Sequence, residues 1–265
     1  MLIAHDVWFG YDERTPVVCG ISLDVARRAI VGILGPNGSG KTTLLRLLAG
    51  TRRPQRGSVM LDGQPLASRS RDALARRIAV VPQETQLAFD YSVVEVAMMG
   101  RYAHLGAFEI EGPDDAAFVN AALAATGTQH LADRPFATLS GGEKQRVVIA
   151  AALAQLSGSD DAPLLLLDEP TASLDIGYQL EVVSVLRQLH ADTGLAIVIS
   201  THDLNLAASL CDQLLLVREG RVIAEGPTET VLTAGNIRAL YGVAAEVIVR
   251  PSGRRVVLPL ERVAR

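Results

Sequence analysis

Residues 35–42 read Gly35-Pro36-Asn37-Gly38-Ser39-Gly40-Lys41-Thr42, the glycine spacing of a loop that cradles phosphate. Glycines let successive backbone N–H groups converge on one anion, and a helix opening at the loop's end adds its positive pole. Lys41 is then placed to reach β- and γ-phosphates, and the Thr42 hydroxyl to ligate Mg²⁺. Leu164-Leu165-Leu166-Leu167-Asp168-Glu169-Pro170 sets two acids at the end of four aliphatic residues, as a buried strand would present them. Asp168 suits Mg²⁺, held through water, and Glu169 suits polarising an attacking water. Between these motifs stands Ser140-Gly141-Gly142-Glu143, just ahead of an apolar helical run. Ser140 with Glu143 three residues on is a capping-box pattern. Two adjacent glycines exceed what a cap needs, and they allow a phosphate to approach the backbone closely. Such a helix start suits the far side of the same phosphates when a second copy of the chain supplies it. The chemistry predicted is hydrolysis of ATP with Mg²⁺.

A P-loop alone does not separate kinases, GTPases and transport ATPases. With Leu139 before it and Glu143-Lys144-Gln145 after it, however, Ser140-Gly141-Gly142 resembles the signature of ABC transporter ATP-binding subunits. The resemblance runs from about residue 2 to residue 229. Gln83, after Val80-Val81-Pro82, is similar to that family's Q-loop residue, which senses Mg²⁺ and water and links core to helical subdomain. His202, after Ile199-Ser200-Thr201, is similar to its switch histidine, and Asp175 in Ser173-Leu174-Asp175 to its D-loop acid. The resemblance implies a homodimer that sandwiches two MgATP. Gly35, Pro36, Asn37, Gly38, Ser39, Gly40, Lys41, Thr42 and Thr43 would hold the phosphates on one side. Ser140, Gly141, Gly142 and Asp175 would meet them from the other copy. It further implies Thr42, Gln83 and Asp168 for the metal, and Glu169, His202, Lys41 and Gln83 for catalysis. Tyr11 lies about thirty residues before Lys41, where the family places an aromatic that stacks on adenine. Trp8 and Phe9 compete for that role but look embedded in a strand.

The elements needed to position these residues are legible in outline. Residues 2–9 and 21–25 alternate or cluster apolar residues around a polar turn at 10–15. Residues 29–34 form a short apolar run into the P-loop, and residues 42–49 follow with helical leucines, the strand–loop–helix context a phosphate loop requires. Short strands are predicted between the turns at 54–57 and 62–63, and over 78–81, 164–167, 195–200 and 214–217. From about residue 85 to 156 the periodicity is helical. The predicted fold class is α/β: a P-loop NTPase core with a mostly parallel sheet, an N-terminal antiparallel β subdomain and a helical insert subdomain. The ATPase domain is assigned to residues 1–229. A C-terminal extension, residues 230–265, carries a helix and a β-hairpin around Pro251-Ser252-Gly253.

Composition narrows the setting. The 265-residue chain is 49% hydrophobic but only 4% aromatic, and its net charge is −4. No Lys/Arg block stands out, which argues against a duplex-binding ATPase. Cys19 and Cys211 sit alone in apolar segments and read as core thiols. His5, His104, His130 and His190 have no partners at ligand spacing. No signal peptide opens the chain, and no apolar run approaches the roughly 18–20 residues of a spanning helix.

The segment 92–106 after Gln83, and the run 139–155, resemble the ABC subgroup that imports iron-siderophores, haem and cobalamin. That resemblance implies a peripheral protein on the cytoplasmic face of the inner membrane. Its partners would be two integral permease subunits and, through them, a periplasmic or lipid-anchored binding protein; no nucleic acid is expected. The dock for the permeases is expected in the helical insert, on an exposed stretch at 92–106 that includes Arg101. The alternatives are the ATPase of a split exporter, or a non-transport ABC ATPase acting on nucleic acid.

Overall fold

The computed structural model describes residues 1–12, 14–85, 87–106, 108–158, 162–251 and 253–262. They group into two compact units, Met1–Ser68 with Ile197–Arg265, and Arg69–Ala196.

The first unit opens with β1 (Leu2–Gly10) and β2 (Pro16–Val25), an antiparallel pair in which Leu2, Ala4 and Leu23 point inward while His5 and Asp24 face out. This alternation marks a sheet with one covered face. β3 (Ile30–Leu34) is buried at every position, as a central parallel strand covered on both faces must be. The chain then turns through the P-loop into α1 (Lys41–Leu48), whose buried Leu44, Leu45, Leu47 and Leu48 fasten it to the core. β4 (Arg56–Leu61) pairs with β1 on its other side, and an Asp62-Gly63 turn returns the chain to β5 (Gln64–Pro65). Both turn residues have positive φ, 50° and 77°, the backbone a tight two-residue hairpin demands.

In the second unit, α2 (Arg71–Ala75) leads into β6 (Ile78–Val81). α3 (Val93–Met98) starts on a Ser92–Glu95 capping box and runs into a 3-10 turn, Met99–Ala103. α4 (Pro113–Ala125) begins with proline at its first position and acids in its first turn, and α5 (Gly141–Leu156) follows. Val93, Val96, Val119, Leu123, Phe136, Leu139 and Val147 form one core among these helices. β7 (Leu164–Asp168) lies parallel to β6, Ile78 opposite Leu164 and Val81 opposite Leu167, and α6 (Ile176–Thr193) follows it.

The chain returns to the first unit through β8 (Ala196–Thr201), which lies parallel to β3 with Leu34 opposite Thr201. α7 (Leu204–Leu210) leads to β9 (Gln213–Arg218), parallel to β3 on its other side, and β10 (Arg221–Pro227) folds back antiparallel. Three parallel strands with an antiparallel edge, together with the parallel β6–β7 pair, make the α/β fold expected from the sequence. α8 (Thr228–Val231), α9 (Ala234–Tyr241) and the hairpin β11 (Val243–Val249) with β12 (Arg255–Arg262) complete the chain.

Candidate functional site

The P-loop needs its three glycines for different reasons. A Cβ on Gly35 would lie 2.2 Å from the Val217 carbonyl oxygen, so that position allows no side chain. Gly38 has open space around it but a φ of 78°, and Gly40 combines φ 101° with a 2.6 Å approach to the Val17 carbonyl. Within α1 the ladder starts where Leu44 N donates to the Gly40 carbonyl at 2.8 Å, so the amides before Leu44 take no part in it. Lys41 is buried, and its Nζ donates to the carbonyls of Gly35 (2.9 Å) and Pro36 (3.2 Å), which folds it over the loop. Ser39 is 3% exposed, and its hydroxyl is a buried polar atom with no hydrogen-bond partner among the described residues. Leaving a buried hydroxyl unpaired costs about 1–3 kcal/mol, and a phosphate oxygen is the acceptor this loop is shaped to bring. The residues present therefore fit a nucleotide polyphosphate.

Tyr11 is 55% exposed just after β1, its ring edge-on to Phe9 at 5.2 Å between centroids. Its hydroxyl lies 3.3 Å from Thr43 Oγ1 and accepts from Arg46 Nη1 at 3.1 Å, which moors the ring beside the start of α1. The Thr43 bond, then the bond and charge of Arg46, hold the phenol pKa below its usual value. Trp8 is engaged elsewhere: its Nε1 donates to Asp6, and the guanidiniums of Arg56 and Arg221 lie 5.7 and 5.9 Å from its ring. His202 sits at the end of β8, between Thr201 and the Asp203 cap of α7.

In the second unit, Asp168 is the last residue of β7 and 8% exposed, while Glu169 turns out of the strand at φ 45°. A non-glycine residue in the left-handed region is sparsely populated and is held there by its surroundings, a state that gathers at functional sites. Asp175 caps α6 by position only and is exposed, so its carboxylate makes no cap bond. The Gln179 amide donates to the carbonyls of Thr171 (3.3 Å) and Leu174 (2.9 Å), which stiffens the loop from Glu169 to Asp175. Gln83 is exposed two residues after β6.

Ser140 carries the capping box in full. Its Oγ accepts from Glu143 N at 3.3 Å, and its own amide donates to Glu143 Oε2 at 2.8 Å. The Ser140 amide first, and the Ser140 hydroxyl next, hold the Glu143 carboxyl below its usual range. The Ser140 hydroxyl thus accepts from the Glu143 amide and turns its proton toward the Glu143 carboxylate, so a phosphate would have to take that proton over. Gly142 has a reason the sequence did not show: a Cβ there would lie 2.5 Å from the Tyr178 ring. Gly141 is exposed and meets only the tip of Leu174.

A family model described as ABC transporter matches residues 18–172, the span that holds the P-loop, Gln83, Ser140 and Glu169. The chain belongs to the ABC transporter family. The Hemin import ATP-binding protein HmuV of Bordetella pertussis is 41% identical over 248 residues, covering 92% of this chain and 94% of that protein. The Cobalamin import ATP-binding protein BtuD of Halobacterium salinarum is 44% identical over 233 residues, 87% of this chain. This chain spans 56% of that relative's length. A solved structure described as an inward-facing conformation of a metal-chelate type ABC transporter superposes with a TM-score of 0.84 at 30% identity, over 98% of this chain and 96% of that one.

One expectation for this ABC transporter chain needs correcting. Arg101 is 4% exposed and belongs to no docking face. Its Nε donates to Asp115 Oδ1 at 2.8 Å, its Nη1 donates to the carbonyls of Ala154 (2.7 Å) and Ser157 (2.8 Å), and its guanidinium lies over Phe118 at 4.5 Å. Arginine's planar fork meets several acceptors at once, so burial becomes tolerable where a lone charge would be expelled. Val93, Val96, Ala97 and Gly100 are buried as well, and Tyr102 is the large apolar side chain of that stretch left exposed. Exposed apolar residues flank the stretch on both sides, Phe89 before it and Phe108 and Ile110 after it. No group of His, Cys, Asp and Glu among the described residues could hold a metal by itself, and no described helix is long and apolar enough to cross a membrane.

Proposed function

We propose that this chain is the ATP-hydrolysing subunit of a membrane importer of metal chelates, namely an iron-siderophore, haem or cobalamin. The observation that carries this is identity of 41% along nearly the full length of a hemin import ATP-binding protein. In this reading the P-loop amides and Ser39 hold the polyphosphate, and Tyr11 supports the adenine. Lys41 exchanges the carbonyls of Gly35 and Pro36 for phosphate oxygens. Mg²⁺, with Thr42, Gln83 and Asp168 as its side-chain ligands, would neutralise charge developing between the β- and γ-phosphates. Glu169 accepts a proton from the attacking water, and His202 orients the γ-phosphate. A second copy supplies Ser140, Gly141, Gly142 and Asp175, so that two nucleotides are closed between two chains.

Closure on ATP and reopening after hydrolysis would drive two permease subunits at the cytoplasmic face of the inner membrane, with a periplasmic or lipid-anchored binding protein delivering the chelate. Phe108, Ile110 and Tyr102 support a dock in the helical insert in place of Arg101. Uptake of labelled ferric siderophore, haem and cobalamin should be compared in a strain with and without the protein. Loss of uptake of one class supports the reading, and unchanged uptake of all three overturns chelate import.

A further inference from the structure

The segment that carries His202 is gripped by the C-terminal end of the chain. Tyr241, the last residue of α9, donates from its hydroxyl to the His202 carbonyl at 3.3 Å. Gly242 closes α9 in the left-handed conformation (φ 66°), its amide donating to the Arg238 carbonyl at 2.8 Å, so the place of Tyr241 at the helix end is set by a C-cap. On the other side of His202, Asp203 caps α7 by accepting from the amides of Asn205 (2.8 Å) and Leu206 (3.0 Å). Asn205 then joins that helix to the hairpin. Its Nδ2 donates to the Val257 carbonyl at 3.1 Å, and its Oδ1 accepts from the Val257 amide at 2.8 Å. A side-chain amide here takes the place of a neighbouring strand for one residue of β12, and the Val257 side chain is fully buried.

The same end of the chain reaches the phosphate loop. A cleft of about 880 Å³ has Asn37, Gly38 and Ser39 on one wall and Arg238, Tyr241 and Arg262 on another. The extension thus meets the carbonyl of His202 and, three residues on, the Asn205 side chain, and it stands beside the loop that would receive the phosphates. A tail that served only to cover the core would have no need to hydrogen-bond a carbonyl at the end of β8.

We propose that the C-terminal extension is a clamp that positions His202, with Tyr241 and Asn205 as its positioning residues. Tyr241 fixes the His202 carbonyl, and Asn205 fixes the helix whose cap follows it. The inference rests on the ATPase reading above, in which His202 acts on the γ-phosphate. Because the clamp holds backbone, its loss leaves the imidazole present but poorly aimed. Turnover should therefore suffer more than nucleotide binding.

The test is steady-state ATP hydrolysis and ATP affinity in the full-length protein for Tyr241→Phe and Asn205→Asp, each alone and combined with His202→Ala. The clamp predicts kcat lowered by about three- to tenfold in each single variant with KM within about twofold, and less than twofold further loss in the His202→Ala background. Wild-type kcat in both Tyr241→Phe and Asn205→Asp overturns it. So does a loss of equal size with or without His202, which marks general destabilisation. The two variants act through different bonds, so poor folding of one leaves the other to decide. Full turnover in His202→Ala alone refutes the role of His202 on which the clamp rests, and is told apart from failure of the clamp by that single variant.

Discussion

Ser140 and Glu143 hold one another across the first turn of α5, the serine hydroxyl accepting one amide at 3.3 Å and the glutamate carboxylate accepting the other at 2.8 Å. The pair gives Ser140 a structural role, to which the proposed function adds a phosphate contact in the opposite copy. Capping uses a lone pair of the serine and turns its proton toward the Glu143 carboxylate, and a phosphate from the opposite copy would compete for that proton. A capping box predicts stability only, whereas Gly141 beside it, exposed and packed against little, leaves the helix start open to a partner.

Ser140→Arg separates the two roles. Nucleotide binding by the isolated chain should survive, because the P-loop of the same chain is untouched, while ATP-dependent dimerisation and turnover are lost. Size-exclusion with light scattering, with and without ATP, reads the first effect and phosphate release the second. Loss of ATP binding in the monomer would place the motif in cis.

Arg101 offers a test of burial against docking. Arg101→Glu opposes a carboxylate to Asp115 and leaves the Ala154 and Ser157 carbonyls without their donor. Breaking a buried pair costs about 3–5 kcal/mol, so urea unfolding should move to a markedly lower midpoint. Wild-type stability would contradict the anchor.

Asp115 gives that anchor a pH dependence. The Gly112 amide first, and the Arg101 guanidinium next, hold its carboxyl below the ordinary range. With a depressed folded pKa, the stabilisation is fully present above the unfolded carboxylate value of about 3.9 and is lost as pH falls through the folded value. Asp115→Asn should therefore be less stable at pH 7 yet lose less than the wild type on acidification to about pH 3. Urea midpoints at the two pH values measure this, and an unchanged gap between them would contradict it.

Much of this chain could be read before any coordinates, and what was missed shares a physical cause. The four leucines of β7 announce themselves because a strand covered on both faces has no polar position to break the run, and the run at 78–81 is equally apolar although Val80 is exposed. β10 was not anticipated: exposed and half-buried positions alternate along it, and its short apolar stretch, Val222-Ile223-Ala224, has no buried position. Arg101 in a helical stretch looks like a solvated charge, since its three partners come from residues 14, 53 and 56 positions away. Gly142 could be assigned only to phosphate, because the Tyr178 ring that forbids a side chain there belongs to another helix. Tyr11 was chosen by position alone, and Arg46, which fixes its hydroxyl, carries no motif of its own.

Tyr11 can be tested through nucleotide affinity. Tyr11→Ala removes the ring, and base–aromatic stacking contributes about 1–3 kcal/mol, so ATP should bind about tenfold more weakly. Tyr11→Phe keeps the ring and loses only the Thr43 and Arg46 bonds, so its Kd should stay within about threefold. Isothermal titration with ATP distinguishes them. Equal affinity in wild type and Tyr11→Ala would remove Tyr11 from the adenine site.

The account turns on Glu169, the acid carried out of β7 at a positive φ. Glu169→Gln preserves size and hydrogen bonding but cannot accept a proton from water. The deciding measurement is single-turnover hydrolysis of radiolabelled ATP by Glu169→Gln beside the wild type, with bound nucleotide counted in the same samples. Hydrolysis should fall by about 10²–10⁴-fold while ATP stays bound, and the variant should accumulate as an ATP-filled dimer; turnover close to wild type would contradict the account.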